Sequence, residues 1–230
     1  MPINSSVTHS LMKRLILLLC LFAFGNAFQR RFLSRHYGSN RRDLFFNRER
    51  YPSVEADFKE LLAQVECANK GLDKSNQKEV LSSMGAIVER SLNSKGSTVN
   101  KRKLEGTWDL LYTTEKETLF FYKNGLFGAK CTYISQSIDL DSNLINNVIS
   151  FDKGKEFSVL GAISVDDGAP KRINFKFTSA SLKFSEKFKL AVPPVGEGWF
   201  DTLYVDESYR ISHDVRGDWL LSKRRKQIRR

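Results

Sequence analysis

Cysteine and histidine are scarce where chemistry would need them. The chain of 230 residues has three of each, and Cys20, His9 and His36 all fall within its first fifty residues. Cys67, Cys131 and His213 are left for any folded domain. They form no Cys-x-x-Cys, which excludes a disulfide framework and a redox motif. Cys67 falls on an expected helix and Cys131 on an expected strand; both read as small buried side chains or free thiols, with a single bridge left open. No His/Cys/carboxylate cluster has metal spacing, and no glycine-rich phosphate loop precedes a helix. Neither metal nor cofactor is therefore expected. Ser208, His213 and Asp214 are close in sequence, but they lie across a hairpin and lack a nucleophile elbow. The chain does not read as an enzyme. A membrane-spanning run is missing too. The apolar stretch 15–24 counts ten residues, against the roughly 20 that a bilayer span requires.

Positive charge is plentiful, but it is confined to the ends. Residues 1–50 carry nine Lys/Arg and two Asp/Glu, and residues 223–230 carry six Lys/Arg and no acid. The overall net charge is +11, so 51–222 is close to neutral. A nucleic-acid partner is not expected, because the folded part has no basic surplus. The tail 223–230 reads as a solvated, frayed end. It could lean on anionic headgroups, at roughly 1 kcal/mol per basic residue near a charged membrane. At the other end, Lys13-Arg14, the apolar run and Gly25-Asn26-Ala27 have the layout of a secretory signal, 1–27. Residues 28–50 then hold seven Arg and two acids, an Arg-rich, acid-poor composition like that of an organelle transit peptide.

One domain is expected over 51–222, in two parts. Residues 51–97 read as a helical arm. Val54, Phe58, Leu61, Leu62 and Val65 recur at helical spacing, as do Val80, Leu81, Met84, Ile87, Val88 and Leu92. Gly71 suits the stop between the two helices. Such single apolar faces must pack on something, and a cap over the second part is one solution. From Leu104 to 222 the period changes to two. Strands are expected at 106–113, 130–139, 144–151, 156–165, 172–177, 181–190, 198–205, 209–213 and 219–223, joined by short polar turns. About eight to nine antiparallel strands with no helix between them predict a closed up-and-down β-barrel.

The alternation predicts an apolar, aromatic lumen. Ile173, Phe175 and Phe177 share one face; Phe184, Phe188 and Leu190 share another. The lumen candidates are Trp108, Leu110, Tyr112, Phe175, Phe177, Phe184, Phe188 and Leu203. Such a lumen suits a lipid, pigment or quinone tail better than a sugar or nucleotide, although a solid-cored barrel would show the same pattern. Asp206 and Arg210 flank a four-residue turn and are candidates for an ion pair at the barrel rim. Phe120, Phe121, Tyr122, Leu126 and Phe127 lie in an aromatic, glycine-containing stretch. That stretch reads as a lid, as a lip touching a membrane surface, or as a loop folded inward over the mouth. Gly161 reads as a mid-strand bulge or kink.

Two segments carry a family resemblance. Leu104-Glu-Gly-Thr-Trp-Asp-Leu-Leu-Tyr-Thr-Thr114 resembles the opening strand of the plastid lipid-associated protein family, the PAP/fibrillin domain. Its Gly106-Thr-Trp108 is also similar to the Gly-x-Trp element of lipocalins, in which the Trp closes the barrel floor against a basic residue. Arg210 or Lys223 could take that part here. Tyr204-Val-Asp206, Tyr209-Arg210-Ile211 and Trp219-Leu-Leu221 resemble the family's closing strands. Gln136-Ser-Ile-Asp139 and Asn146-Asn-Val-Ile149 are similar to its middle strands. Tyr209 and Ser212-His213 depart from the usual Leu and Arg, which marks a divergent member whose ligand is not carried over. The resemblance implies a lipocalin-like fold and non-catalytic binding of a carotenoid, quinone or other prenyl lipid at thylakoids or plastoglobule lipid droplets. The alternative is a structural protein with a filled barrel that docks on a membrane or on a prenyl-lipid biosynthetic enzyme. The N-terminal signal and transit-like segment together resemble the two-part presequences of algae with secondary plastids. A plastid location reached by the secretory route follows from that likeness, with secretion as the alternative.

Overall fold

The computed structural model describes residues 54–93, 101–166 and 168–226. The signal and transit-like segments, residues 94–97 of the arm and the tip of the basic tail lie outside them. Helix α1 (Val54–Cys67) is followed by a 3₁₀ turn (Asn69–Gly71), α2 (Gln77–Asn93) and a one-turn helix α3 (Lys101–Leu104). Strand β1 (Gly106–Thr113) leads into α4 (Lys116–Asn124). Then come β2 (Cys131–Asp139), β3 (Leu144–Phe151), β4 (Glu156–Asp166), β5 (Ala169–Ser185), β6 (Phe188–Val192), β7 (Glu197–Val205), β8 (Tyr209–Asp214) and β9 (Trp219–Arg224).

Every pairing is antiparallel, and the sheet closes on itself. The ladder runs β4-β3-β2-β1-β9-β8-β7-β5, and β4 pairs back onto β5. This makes an eight-stranded closed barrel with β6 as one extra strand. The expected fold class holds. One boundary does not: the strand expected over 181–190 is two pieces. β5 runs 17 residues through Thr178-Ser-Ala180, turns at Glu186-Lys187 and returns as β6. The alternating lysines 183, 187 and 189 kept the period and hid the turn. The near half of β5 pairs with β7 and its far half with β6, while β4 spans both. Register slips between Leu160 and Gly161 in the β4–β5 ladder, where a Cβ on Gly161 would meet the Lys176 carbonyl oxygen at 2.9 Å.

Aspartates set the turns. Asp139 accepts the Ser142 N–H at 2.8 Å, and Asp166 those of Gly168 and Ala169 at 2.9 and 3.2 Å. Asp214 accepts those of Arg216 and Asp218 at 2.8 and 2.9 Å. Such side-chain bonds replace backbone bonds that the tight turn cannot make.

The helical arm packs on the outside of the wall and does not cap the mouth. Phe58, Leu61, Val80, Met84 and Ile87 bury against the outward side chains Tyr112, Ile211 and Leu221. Each such side chain is worth about 1.5–3 kcal/mol when fully buried. Phe58 stacks on Tyr209 at 4.7 Å. Gly71 lets the arm approach: at φ +103° a Cβ would sit 2.1 Å from the Thr113 carbonyl oxygen. The cap over the barrel is α4, a helix between β1 and β2 where none was expected. Its Phe121 joins Ile149, Phe151, Phe157 and Leu182 in a cluster at one end of the barrel, the roof. Leu104, Trp108, Ile138, Ile145, Ile163 and Phe200 fill the other end, the floor.

Candidate functional site

Between floor and roof the barrel keeps a cavity of about 150 Å³. Leu110, Ile134, Phe157, Val159, Phe175 and Phe177 give it an apolar side; Gln136, Asn147, Arg210, Ser212 and Ser222 give it a polar one. Val215, in the β8–β9 turn, also lines it and is 38% exposed. The volume is modest. An engineered cavity of about 150 Å³ binds one benzene, whereas drug-sized ligands occupy sites of about 300–1,000 Å³.

The floor is built around Trp108. Its Nε1 donates to the Leu104 carbonyl at 2.8 Å, which ties α3 under the barrel. Two guanidinium groups lie near its ring: Arg224 Cζ is 4.3 Å from the centroid and Arg210 Cζ 5.3 Å. Arg224 donates to the carbonyls of Lys103, Glu105 and Glu207. It shares with Arg210, one of the two expected candidates, the place against the floor Trp, whereas Lys223, the other candidate, is exposed. The expected solvated tail thus begins later than Lys223. Arg224 ends β9, and Arg225 Nε reaches Asp109 at 3.0 Å.

Arg210 is different. It is 2% exposed and lines the cavity. Nη2 donates to Gln136 Oε1 at 2.7 Å, and Gln136 Nε2 donates to Asn147 Oδ1 at 3.0 Å. Nε and Nη1 have no hydrogen-bond acceptor among the described residues. Burial, and then the charge of Arg224, push the guanidinium pKa down to about 9. No ion pair joins Arg210 to Asp206 among the described residues, contrary to the expected rim pair. Alternation turns Arg210 inward, opposite Ser222, while Asp206 stays in the turn. There Asp206 accepts the N–H groups of Ser208 and Tyr209 at 2.7 and 2.6 Å and the Tyr204 hydroxyl at 2.7 Å.

The mouth carries the opposite electrostatic arrangement. Arg216 lies 2.9 Å from Glu117, 3.1 Å from Asp214, 3.4 Å from Glu115 and 3.6 Å from Asp218. Burial works against its charge, but Glu115, Asp214 and Glu117 outweigh that and hold its pKa above the usual range. Burial pushes the Glu115 carboxyl up to about 7, against the hydrogen bond that the Thr118 hydroxyl donates to it at 2.7 Å.

Of the lumen candidates, Trp108, Leu110, Phe175 and Phe177 line the cavity. Tyr112 does not. The β1–β9 register skips Leu111, and this extra residue turns Tyr112 outward against the arm. A second skip at Leu203 in β7 leaves that side chain half-buried and away from the cavity. Phe184 packs with Phe127 in the roof at 5.4 Å, and Phe188 is 56% exposed beyond it. The aromatic stretch folds mostly inward. Phe121 is buried, Leu126 and Phe127 pack against the roof, and the Tyr122 hydroxyl reaches the Leu110 carbonyl at 3.5 Å. Phe120 stays exposed. Ser208 sits at the opposite end of β8 from His213 and Asp214, so those three residues do not assemble. Cys67 is an exposed free thiol and Cys131 a half-buried one, whose pKa burial pushes up to about 11. Reading the sequence for apolar faces missed the polar side of the cavity. Gln136 between Ile134 and Ile138, and Asn147 between Ile145 and Ile149, were its signal: polar residues at inward positions of apolar strands.

A closed antiparallel barrel with a Gly-x-Trp floor, an arginine stacked on that Trp and a small interior cavity defines a lipocalin-like barrel protein. The PAP_fibrillin family model matches residues 56–222, and the chain belongs to the PAP/fibrillin family. It is 36% identical over 171 residues to the probable plastid-lipid-associated protein 11, chloroplastic, of Arabidopsis thaliana, across 72% of this chain and 78% of that relative. No solved structure matches significantly.

Proposed function

We propose that this chain is a non-catalytic lipid-binding protein of the plastid that takes one end of an apolar lipid into its barrel. The observation that carries the reading is the cavity, with Phe175, Phe177 and Leu110 on its wall and the partly exposed Val215 at its edge. Family membership and the chloroplastic relative support the plastid setting, with thylakoid membranes and lipid droplets as the sites of association and the secretory route as the way in. The volume limits what is enclosed. A whole carotenoid or long prenyl quinone exceeds it; a ring or chain end fits, and the rest of the molecule stays in the membrane or droplet. Burial of apolar area, at roughly 25 cal/mol per Å², does the work, and no bond is made or broken.

The test is mass spectrometry of organic extracts from the tagged protein purified gently from its own cells. A near-stoichiometric lipid or pigment is expected, lost in Phe175→Arg and kept in Phe184→Arg, which lies in the roof. A lipid-free, stable protein would overturn the reading in favour of a second one. In that reading the barrel is a structural core, and the molecule docks on a partner such as a prenyl-lipid biosynthetic enzyme. The filled floor and roof on either side of the small cavity favour it.

A further inference from the structure

We propose that Arg210 anchors the carboxylate of a lipid monoanion, a fatty-acid-like ligand whose head enters the barrel and whose chain runs toward the mouth. The inference rests on the lipid-binding reading and adds the ligand's chemical class.

A buried guanidinium without an acid is costly, because desolvation penalises the charge and each unmet donor adds to the penalty. A purely structural arginine would have its donors satisfied, as Arg224 does on three backbone carbonyls of the same floor. Arg210 leaves Nε and Nη1 unmet, and it faces a cavity. The chain Asn147–Gln136–Arg210 holds the guanidinium in one orientation by binding Nη2 alone. Ser212 and Ser222 flank it on the same wall and offer hydroxyl donors. A carboxylate supplies two oxygens and about four acceptor sites, and arginine is suited to it by its planar fork. One unneutralised positive charge calls for one negative charge. A phosphomonoester would bring about −1.5 to −2 at neutral pH, more than Arg210 alone balances. Beyond the head, Phe175, Phe177 and Val159 line a path for the first carbons of an aliphatic chain. The acids of the mouth are engaged by Arg216 and do not compensate Arg210.

The experiment titrates oleate, oleyl alcohol and oleyl phosphate into the full-length chain. It is followed by calorimetry and by tryptophan emission, since Trp108 borders the site. Wild type is expected to bind oleate at least about ten-fold more tightly than the alcohol, the scale of a charge-assisted hydrogen bond, with a change in emission. Arg210→Gln should erase that preference, while Arg210→Lys keeps part of it. Equal binding of oleate and alcohol by wild type overturns the inference and leaves the lipid reading standing. That comparison needs no variant, so it holds if Arg210→Gln fails to fold. Tighter binding of oleyl phosphate than of oleate overturns the assignment to a carboxylate. Binding of none of the three overturns the inference, and the lipid reading then stands or falls on the extracted lipid.

Discussion

Arg210 and Arg216 belong to one hairpin, β8–β9, and live in opposite surroundings. Arg216, in the turn, is ringed by four carboxylates within 4 Å. Arg210, six residues earlier and inside the barrel, meets a glutamine, two serines and aromatic rings. The pKa values move accordingly, up for Arg216 and down for Arg210. The mouth is an electrostatic clamp that serves the fold. The floor holds a buried charge with no acid beside it and two donors unmet, the feature on which the carboxylate proposal rests.

Four variants would break or sharpen that contrast. The largest effect is expected from Trp108→Ala. It removes the surface that both floor arginines face and the bond to Leu104, and should destabilise by about 3–5 kcal/mol in urea denaturation. Arg216→Ala leaves the mouth carboxylates facing one another. Its side chain is about a quarter exposed, so the cost should be about 2 kcal/mol at pH 7, below that of a fully buried pair, and smaller at pH 5. Arg210→Met should have the opposite sign. Removing an unpaired buried charge should raise ligand-free stability by about 1 kcal/mol, even with Gln136 left short of a donor. A clear loss of stability there would make Arg210 a structural residue.

The smallest effect concerns Glu115. In the folded protein its carboxyl keeps its proton up to about pH 7, against 4.5 for an ordinary glutamate. The folded state therefore binds the extra proton between those values, and stability falls as pH rises through that window. Glu115→Gln should flatten this slope by a few degrees of Tm, where about 2–4 °C corresponds to 1 kcal/mol in a domain of this size. An unchanged Tm–pH profile would show that Arg216 fully offsets the burial.

Much of the barrel was legible because its causes are local. Alternation in Ile173-Asn-Phe-Lys-Phe177 and aspartate-led turns at 139, 166, 206 and 214 fix strand and turn within a few residues of chain. The helical stripes of the arm are local in the same way. The misreadings have non-local causes. An extra residue at Leu111 or Leu203 exists only relative to the partner strand, and each one shifts the faces that follow. Tyr112 therefore points at the arm, and Leu203 is not a lumen residue. The Lys183–Lys189 alternation runs through a turn that pairing with β6 makes visible. Helix α4 is a short apolar segment whose only decisive partner is the barrel mouth.

The sequence by itself determined the class of fold and the family, because period-two patterning and turn chemistry act over short distances. Only the tertiary structure decided that the arm covers the wall and α4 the mouth. It also decided that Arg224 joins Arg210 against the floor Trp, and that Arg210 faces a cavity with two of its nitrogens unmet. Those outcomes depend on which residues lie opposite one another across a closed barrel. Closure brings Gln136 to Arg210 from 74 positions away, a separation that no local pattern records.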